Sequence, residues 1–275
     1  MRITSVLVVA LFLAAPTGAA AYDRLVNPFH SCSLGGTPEY ATLQEAVDAA
    51  RPGDQIGVCP GTYDQTVRVT TPVTLTGIGS VLIKPSSSVG TTCFDVLVDA
   101  VTVRYFTIQG CETAINVAAS GALIQNTQLQ RNAAGISIVG GGHSVIQNNL
   151  FDDNGFGLLV EGQSDGTVIR TNTLRDDVFG IYLNGAAGVI VTKNSVERAF
   201  VGIHAGLQTG DSTISFNSLS FNGSGIVLSA LATGNQIARN AVTRSYTIDC
   251  DWDGSDAPVF SKNSCATESP AGAWD

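Results

Sequence analysis

The 275-residue sequence predicts an all-β fold, a right-handed parallel β-helix with coils of about 22–23 residues and an N-terminal capping helix. Three observations carry that expectation. Charged residues are few, glycines number 30, and no long helical periodicity follows residue 52. Asparagines recur at Asn149, Asn172, Asn194, Asn217, Asn240 and Asn263, at intervals of 23, 22, 23, 23 and 23, each in an apolar-x-x-Asn-x-apolar segment. A glycine followed by Ile or Leu returns on the same period, at Gly135-Ile136, Gly157-Leu158, Gly180-Ile181, Gly202-Ile203 and Gly225-Ile226. Each repeat therefore holds short period-2 strands separated by turns that use Asn and Gly. No such unit buries its apolar face alone, but coils stacked about 4.8 Å apart share one continuous core.

Taken in chain order, Arg2, the apolar run Val6–Ala15 and the small residues Gly18, Ala19, Ala20 and Ala21 have the parts of a secretory signal. Residues 1–21 are expected to be this leader and 22–275 a single β-helix domain. Within it, 22–60 form the N-terminal cap region, 61–248 the coils and 249–275 the C-terminal cap. Thr42-Leu43-Gln44-Glu45 reads as a capping box, with Ala46, Val47 and Ala50 on one helical face and Pro52-Gly53-Asp54 ending the helix. Such a helix shields the open end of a solenoid, and the region of Cys250, Cys265, Trp252 and Trp274 is placed to do the same at the other end. Thr127 and Phe106 stand at the asparagine position in two earlier coils. Six cysteines in an exported chain point to disulfides. The expected pairs, chosen because each is close in sequence, are Cys32–Cys59, Cys93–Cys111 and Cys250–Cys265; the sequence leaves other connectivities open.

The formal charge is −9, and −10 without Arg2, so the chain lacks the basic patch that nucleic-acid binding needs. No later segment is long and apolar enough to span a bilayer. Three histidines and one methionine, the initiator, are poor provision for a copper site. A secreted monomer, extracellular or periplasmic, is expected.

Ala41–Ala50, Pro52-Gly53-Asp54, Cys59-Pro60-Gly61-Thr62-Tyr63 and Val73-Thr74-Leu75-Thr76-Gly77 together resemble the N-terminal segment of the pectate lyase/pectinesterase-like β-helix superfamily. The later coils resemble the β-helix repeats of proteins that bind or cleave polysaccharides. The resemblance implies the fold and an extracellular polysaccharide as partner. It does not carry a particular chemistry. Polygalacturonase-like hydrolases place catalytic carboxylates just before the Gly-Ile strand, where this chain has Ala134, Phe156, Phe179, Val201 and Ser224. The glutamine and aspartate motifs of pectinesterases, the D-P-H-D motif of alginate epimerases and the R-x-P-x-x-R signature of pectate lyases are all missing.

Two sets of outward residues remain as candidates. Arg131, Asp153, Asp176, Arg198, Phe221 and Arg244 fall in one line, and Gln130, Asp152, Arg175, Glu197, Ser220 and Thr243 in the line beside it. One reading makes these charge ladders: Arg131–Asp153, Asp176–Arg198 and Asp152–Arg175–Glu197 alternate in sign. The other makes Asp153, Asp176 and Asp177 oxygen ligands for Ca²⁺, with Arg198 as the catalytic base of a polyuronate lyase. Along the Gly-Ile strand the outward positions are Ser137, Leu159, Tyr182, His204, Val227 and Asp249, followed by Glu161 and Asn184. With Phe156 and Phe179, the residues Glu161, Tyr182, Asn184 and His204 are expected to form a shallow carbohydrate-binding face whose rings stack on sugars. Tyr182 and His204 are also a candidate acid–base pair. The regular asparagines are expected to face inward and to be structural. The leading expectation is a secreted protein that binds polysaccharide, with processing of it left open. A Ca²⁺-dependent polyuronate lyase and an inert adhesive spacer are the alternatives.

Overall fold

The structure, a computed structural model, describes residues 22–32, 35–162, 164–229, 231–253, 258–269 and 274; the expected leader, 1–21, lies outside them. Among these residues the chain winds through three parallel sheets of twelve, ten and ten strands, here sheets I, II and III. One coil shows the pattern. Val145–Gln147 lies in sheet I, Leu150–Asp152 in sheet II and Phe156–Glu161 in sheet III, after which the chain re-enters sheet I at Val168–Arg170. Each strand pairs in parallel with its counterpart one coil on: Ile146 with Ile169, Phe151 with Leu174, Leu158 with Ile181. Those alternate residues point inward and are fully buried, as period-2 side-chain alternation requires. This is the parallel β-helix expected.

Strands of mostly three residues need sharp corners, and the backbone supplies them with single left-handed residues. Asn126, Asn148, Thr171, Lys193, Phe216 and Arg239 turn the chain out of sheet I with φ between 53° and 57°. Arg131, Asp153, Asp176, Arg198, Phe221 and Arg244 turn it out of sheet II with φ between 53° and 61°. A left-handed L-residue costs about 1–2 kcal/mol. After most of these corners the next residue offsets that cost by pointing inward and bonding to buried backbone; Ala199, which has no polar side chain, and Ser245, whose Oγ has no partner, are the exceptions.

At the first corner this is the expected asparagine ladder. The Asn194 Oδ1 accepts from the backbone N–H of Asn172 (3.0 Å) and from its Nδ2 (3.0 Å), while Asn194 Nδ2 donates to the Ile169 carbonyl (2.9 Å) and to Asn217 Oδ1 (3.0 Å). The bonding repeats from Thr127, whose N–H donates to Asn149 Oδ1, to Asn263, whose Nδ2 reaches the Ile237 and Trp274 carbonyls. A second ladder, unforeseen in the sequence, runs at the second corner through Asn132, Asn154, Asp177, Ala199 and Asn222. A partial third, at the return to sheet I, uses Ser144, Ser212 and Asn235.

The helix Leu43–Asp48 has the capping box, with Thr42 Oγ1 accepting from the Glu45 N–H and Glu45 accepting from the Thr42 N–H. Its Leu43, Ala46 and Val47 are buried in the core. At the far end Trp252, Phe260 and Trp274 pack in sequence, with ring centroids 5.5 and 4.3 Å apart. No helix among the described residues is long and apolar enough to cross a membrane.

Disulfides join Cys32 to Cys59, Cys93 to Cys111 and Cys250 to Cys265, the last two pairs linking successive coils. Protein denatured without reductant is therefore expected to show no thiol reactive to a thiol-titrating dye, and six after reduction. A thiol appearing before reduction would contradict the pairing.

Candidate functional site

The outward surface of sheet III gathers aromatic side chains from three successive coils. Phe156 and Phe179 are partners on adjacent strands, as are Tyr182 and His204. Because in-register parallel strands place equivalent side chains one coil rise apart, the four rings lie nearly parallel. Their centroids are 5.2 Å apart for Phe156–Phe179, 5.3 Å for Phe179–Tyr182 and 4.8 Å for Tyr182–His204, with interplanar angles of 11°, 23° and 14°. Tyr182 also lies over Gly206, where a Cβ would come within 2.7 Å of the ring. Beside the cluster, Asn184 Nδ2 donates to Glu161 Oε1 at 3.0 Å.

All six residues expected on a carbohydrate-binding face are thus brought together. Their arrangement differs from that expected in one respect. The faces of the inner rings are covered by neighbouring rings, so what the cluster offers outward is ring edges and a polar rim. Tyr182 and His204 stack rather than hydrogen-bond, and His204 Nε2 is instead 2.7 Å from Ser229 Oγ. Burial pushes the His204 pKa down, which keeps the ring neutral at physiological pH. The outward row also needs a correction at its end. The partner of Val227 is Asp251, not Asp249. The spacing there is 24 residues (251 − 227), longer than in the preceding coils, and Asp249 turns inward, accepting from the N–H groups of Ser245, Ala266 and Thr267.

The two charged lines lie on and beside sheet II. Arg198 grips Asp176 with two bonds, Nε–Oδ1 at 2.8 Å and Nη2–Oδ2 at 3.0 Å, and its Nη1 lies 2.9 Å from Glu197 Oε1. Arg175 grips Asp152 in the same two-pronged way at 3.0 and 3.1 Å. Arg131 and Asp153 approach only to 3.8 Å. Glu197 therefore pairs with Arg198 on its own coil rather than extending the Asp152–Arg175 ladder. The Arg198 pKa is raised, chiefly by its hydrogen bonds to Asp176, and that of Asp176 is lowered by the same bonds. The pair is half-exposed, so Arg198→Lys is expected to shift the unfolding free energy by no more than about 1 kcal/mol in denaturant melts.

Asp177 is turned away from Asp153 and Asp176. It is buried in the second ladder, where its Oδ1 accepts from the N–H (2.8 Å) and Nδ2 (2.9 Å) of Asn154. Its Oδ2 has no partner, and burial pushes its pKa up to about 7. Among the described residues, no group of three or more His, Cys, Asp or Glu side chains is arranged to hold a metal ion.

A feature missed in the sequence lies at the corner between sheets II and III. Phe200, Phe221 and Tyr246 are exposed there and, with Arg198, Ala199 and Gly223, line a surface cavity of about 340 Å³. The 23-residue steps Phe200, Gly223 and Tyr246 were available as a signal, but a glycine between two aromatics does not read as a repeat.

Comparison with known proteins adds the following. The family described as "Periplasmic copper-binding protein (NosD)" matches residues 79–255. Among curated protein sequences none is significantly similar. Of solved structures, a complex of XylC with xylose is similar with a TM-score of 0.72 at 12% identity, covering 88% of this chain and 70% of that one. The Geobacillus virus E2 ORF18 protein gives 0.59 at 13% identity, covering 88% and 60%, and pectate lyase Pel9A gives 0.55 at 16%, covering 90% and 78%. At these identities the likeness is one of fold.

Proposed function

The chain belongs to the NosD family of periplasmic parallel β-helix proteins, and on that footing we propose that it is an exported protein that binds extracellular polysaccharide along the outer face of sheet III. The carrying observation is the rigid cluster of Phe156, Phe179, Tyr182 and His204 with the Glu161–Asn184 pair at its edge. Aromatic edges beside fixed polar groups suit a sugar polymer, which presents C–H surface and hydroxyls alternately. The repeat of one coil rise lets a long chain meet equivalent positions in succession. Three disulfides and a periplasmic family fit an oxidising compartment outside the cytoplasm.

Copper does not follow from the family. All six cysteines are in disulfides, His204 is tied to Ser229, and the described histidines His30, His143 and His204 lie in no ligand cluster. The residues present do not fit a copper site. Turnover of a polyuronate is also disfavoured. Two carboxylates hold the Arg198 guanidinium protonated, and a base must be able to lose its proton.

A screen of the protein against immobilised polysaccharides, with and without Ca²⁺, tests the reading. Binding is expected without Ca²⁺ and without the ultraviolet absorbance of unsaturated uronides. Absence of binding to every polymer would overturn it, and unsaturated product would restore the lyase. Tyr182→Ala is expected to weaken binding of the selected polymer roughly 3- to 10-fold, the worth of one aromatic contact.

A further inference from the structure

We propose that the cavity at the corner between sheets II and III is a separate subsite that sandwiches a single pyranose ring bearing a carboxylate between Phe200 and Tyr246. The inference rests on the polysaccharide-binding reading and adds to it a second site and a preferred sugar chemistry.

The corner has a simple lattice. Backbone bonds from Phe200 N–H to the Asp177 carbonyl, from Gly223 to Ala199 and from Tyr246 to Asn222 put Phe200, Gly223 and Tyr246 at one position of three successive coils. Arg198, Phe221 and Arg244 occupy the left-handed position beside them on the same coils. The middle site of the first row has no side chain. The backbones of Phe200 and Tyr246 therefore stand two coil rises apart, about 9–10 Å, with the side-chain-free Gly223 between them. With both side chains projecting outward, a pyranose chair seated midway has its centre about 4.8 Å from each ring, inside the roughly 4.5–7 Å range of ring contacts. Unlike the rings of sheet III, these have uncovered faces, with Phe200 69% and Tyr246 80% exposed. Any side chain at position 223 would fill the gap, and its Cβ would collide with the Phe200 carbonyl oxygen. The cavity volume of about 340 Å³ falls in the range of small-molecule clefts, about 300–1,000 Å³.

Charge selects the sugar. Arg198 is already neutralised by Asp176 and Glu197. Arg244 lies with its guanidinium carbon 5.2 Å from the Phe221 ring centroid and makes no ion pair among the described residues. Arg244 is not itself a lining residue, but it is held against Phe221, which is, and a cation on that wall is suited to a carboxylate on the sandwiched ring.

The test titrates trigalacturonate and, separately, the neutral trisaccharide xylotriose into the full chain by calorimetry. The wild type is expected to prefer trigalacturonate, with an affinity that falls as salt rises. Phe200→Ala and Tyr246→Ala are each expected to weaken it roughly 3- to 10-fold. Arg244→Gln is expected to remove the preference while leaving xylotriose binding unchanged. Both aromatic side chains are exposed, so folding is preserved, and unchanged melting midpoints check this. If Phe200→Ala and Tyr246→Ala bind trigalacturonate like the wild type while Tyr182→Ala loses binding, the subsite falls and the sheet III reading stands. A wild-type preference for xylotriose overturns the carboxylate assignment. If the wild type binds neither trisaccharide but retains a polymer in the screen, the subsite alone is overturned.

Discussion

Asp177→Asn is expected to stabilise the protein at pH 8 and to leave it nearly unchanged at pH 4. At the same place in the ladder, Asn154 Nδ2 donates to the Leu129 carbonyl and Asn222 Nδ2 to the Val196 carbonyl. The strand register makes Phe151 the equivalent carbonyl for position 177. Asp177 Oδ2 has no hydrogen-bond partner and could donate to a carbonyl only as a protonated acid; burial, by desolvating the charged form, raises its pKa from 3.8 to about 7. The folded state thus binds the proton more tightly than the unfolded chain. Asp177 contributes its full stability below about pH 4, and that contribution is lost as pH rises through about 7. Each tenfold difference in proton affinity is worth about 1.4 kcal/mol, so the loss across this window is on the order of 3–4 kcal/mol. An asparagine side chain carries the missing donor at every pH. Denaturant melts from pH 4 to 8 should show wild-type stability falling and the Asp177→Asn variant falling less by that amount. Parallel curves for the two proteins would sink the explanation.

The opposite change is expected at the first corner, where Asn194→Leu should destabilise by about 3–5 kcal/mol, since each buried polar group left unpaired costs about 1–3 kcal/mol. The substitution removes the acceptor of the Asn172 N–H and Nδ2 and the donor to the Ile169 carbonyl. Leucine has the same number and branching of side-chain heavy atoms and is larger, so a cavity is not the cause. Asn194→Asp distinguishes hydrogen bonding from packing. It should reproduce at position 194 the behaviour of Asp177, with a defect that is large at pH 8 and small at pH 4. A pH-independent defect would assign the ladder's contribution to packing instead.

These two residues mark how far the sequence could be read. In a solenoid every coil repeats the environment of the last, so a period in sequence is a period in space. Coil length, the inward Asn149–Asn263 ladder, the Thr42–Glu45 capping box and the grouping of Phe156, Phe179, Tyr182 and His204 on one sheet all followed from periodicity or from neighbours within one turn. The second ladder was present in the sequence as well, five residues after the first, at Asn132, Asn154 and Asn222.

What could not be read was decided by backbone conformation and by contacts between coils. Asp176 and Asp177 are adjacent and chemically identical in sequence, yet one left-handed φ of 57° leaves the first in solvent against Arg198 and swings the second into the core. Glu197 chose Arg198 over Arg175 because a side chain at a corner can reach along its own coil as well as across to the next. The gap at Gly223 exists only because stacking sets it between Phe200 and Tyr246, each 23 residues away. The sequence by itself determined the repeat and the core, because those depend on pattern, while the disulfide pairing it left open was fixed by which segments are neighbours. The tertiary structure alone decided which polar groups face water, which ring faces are covered and where a cavity opens, because those depend on the register in which one coil is hydrogen-bonded to the next.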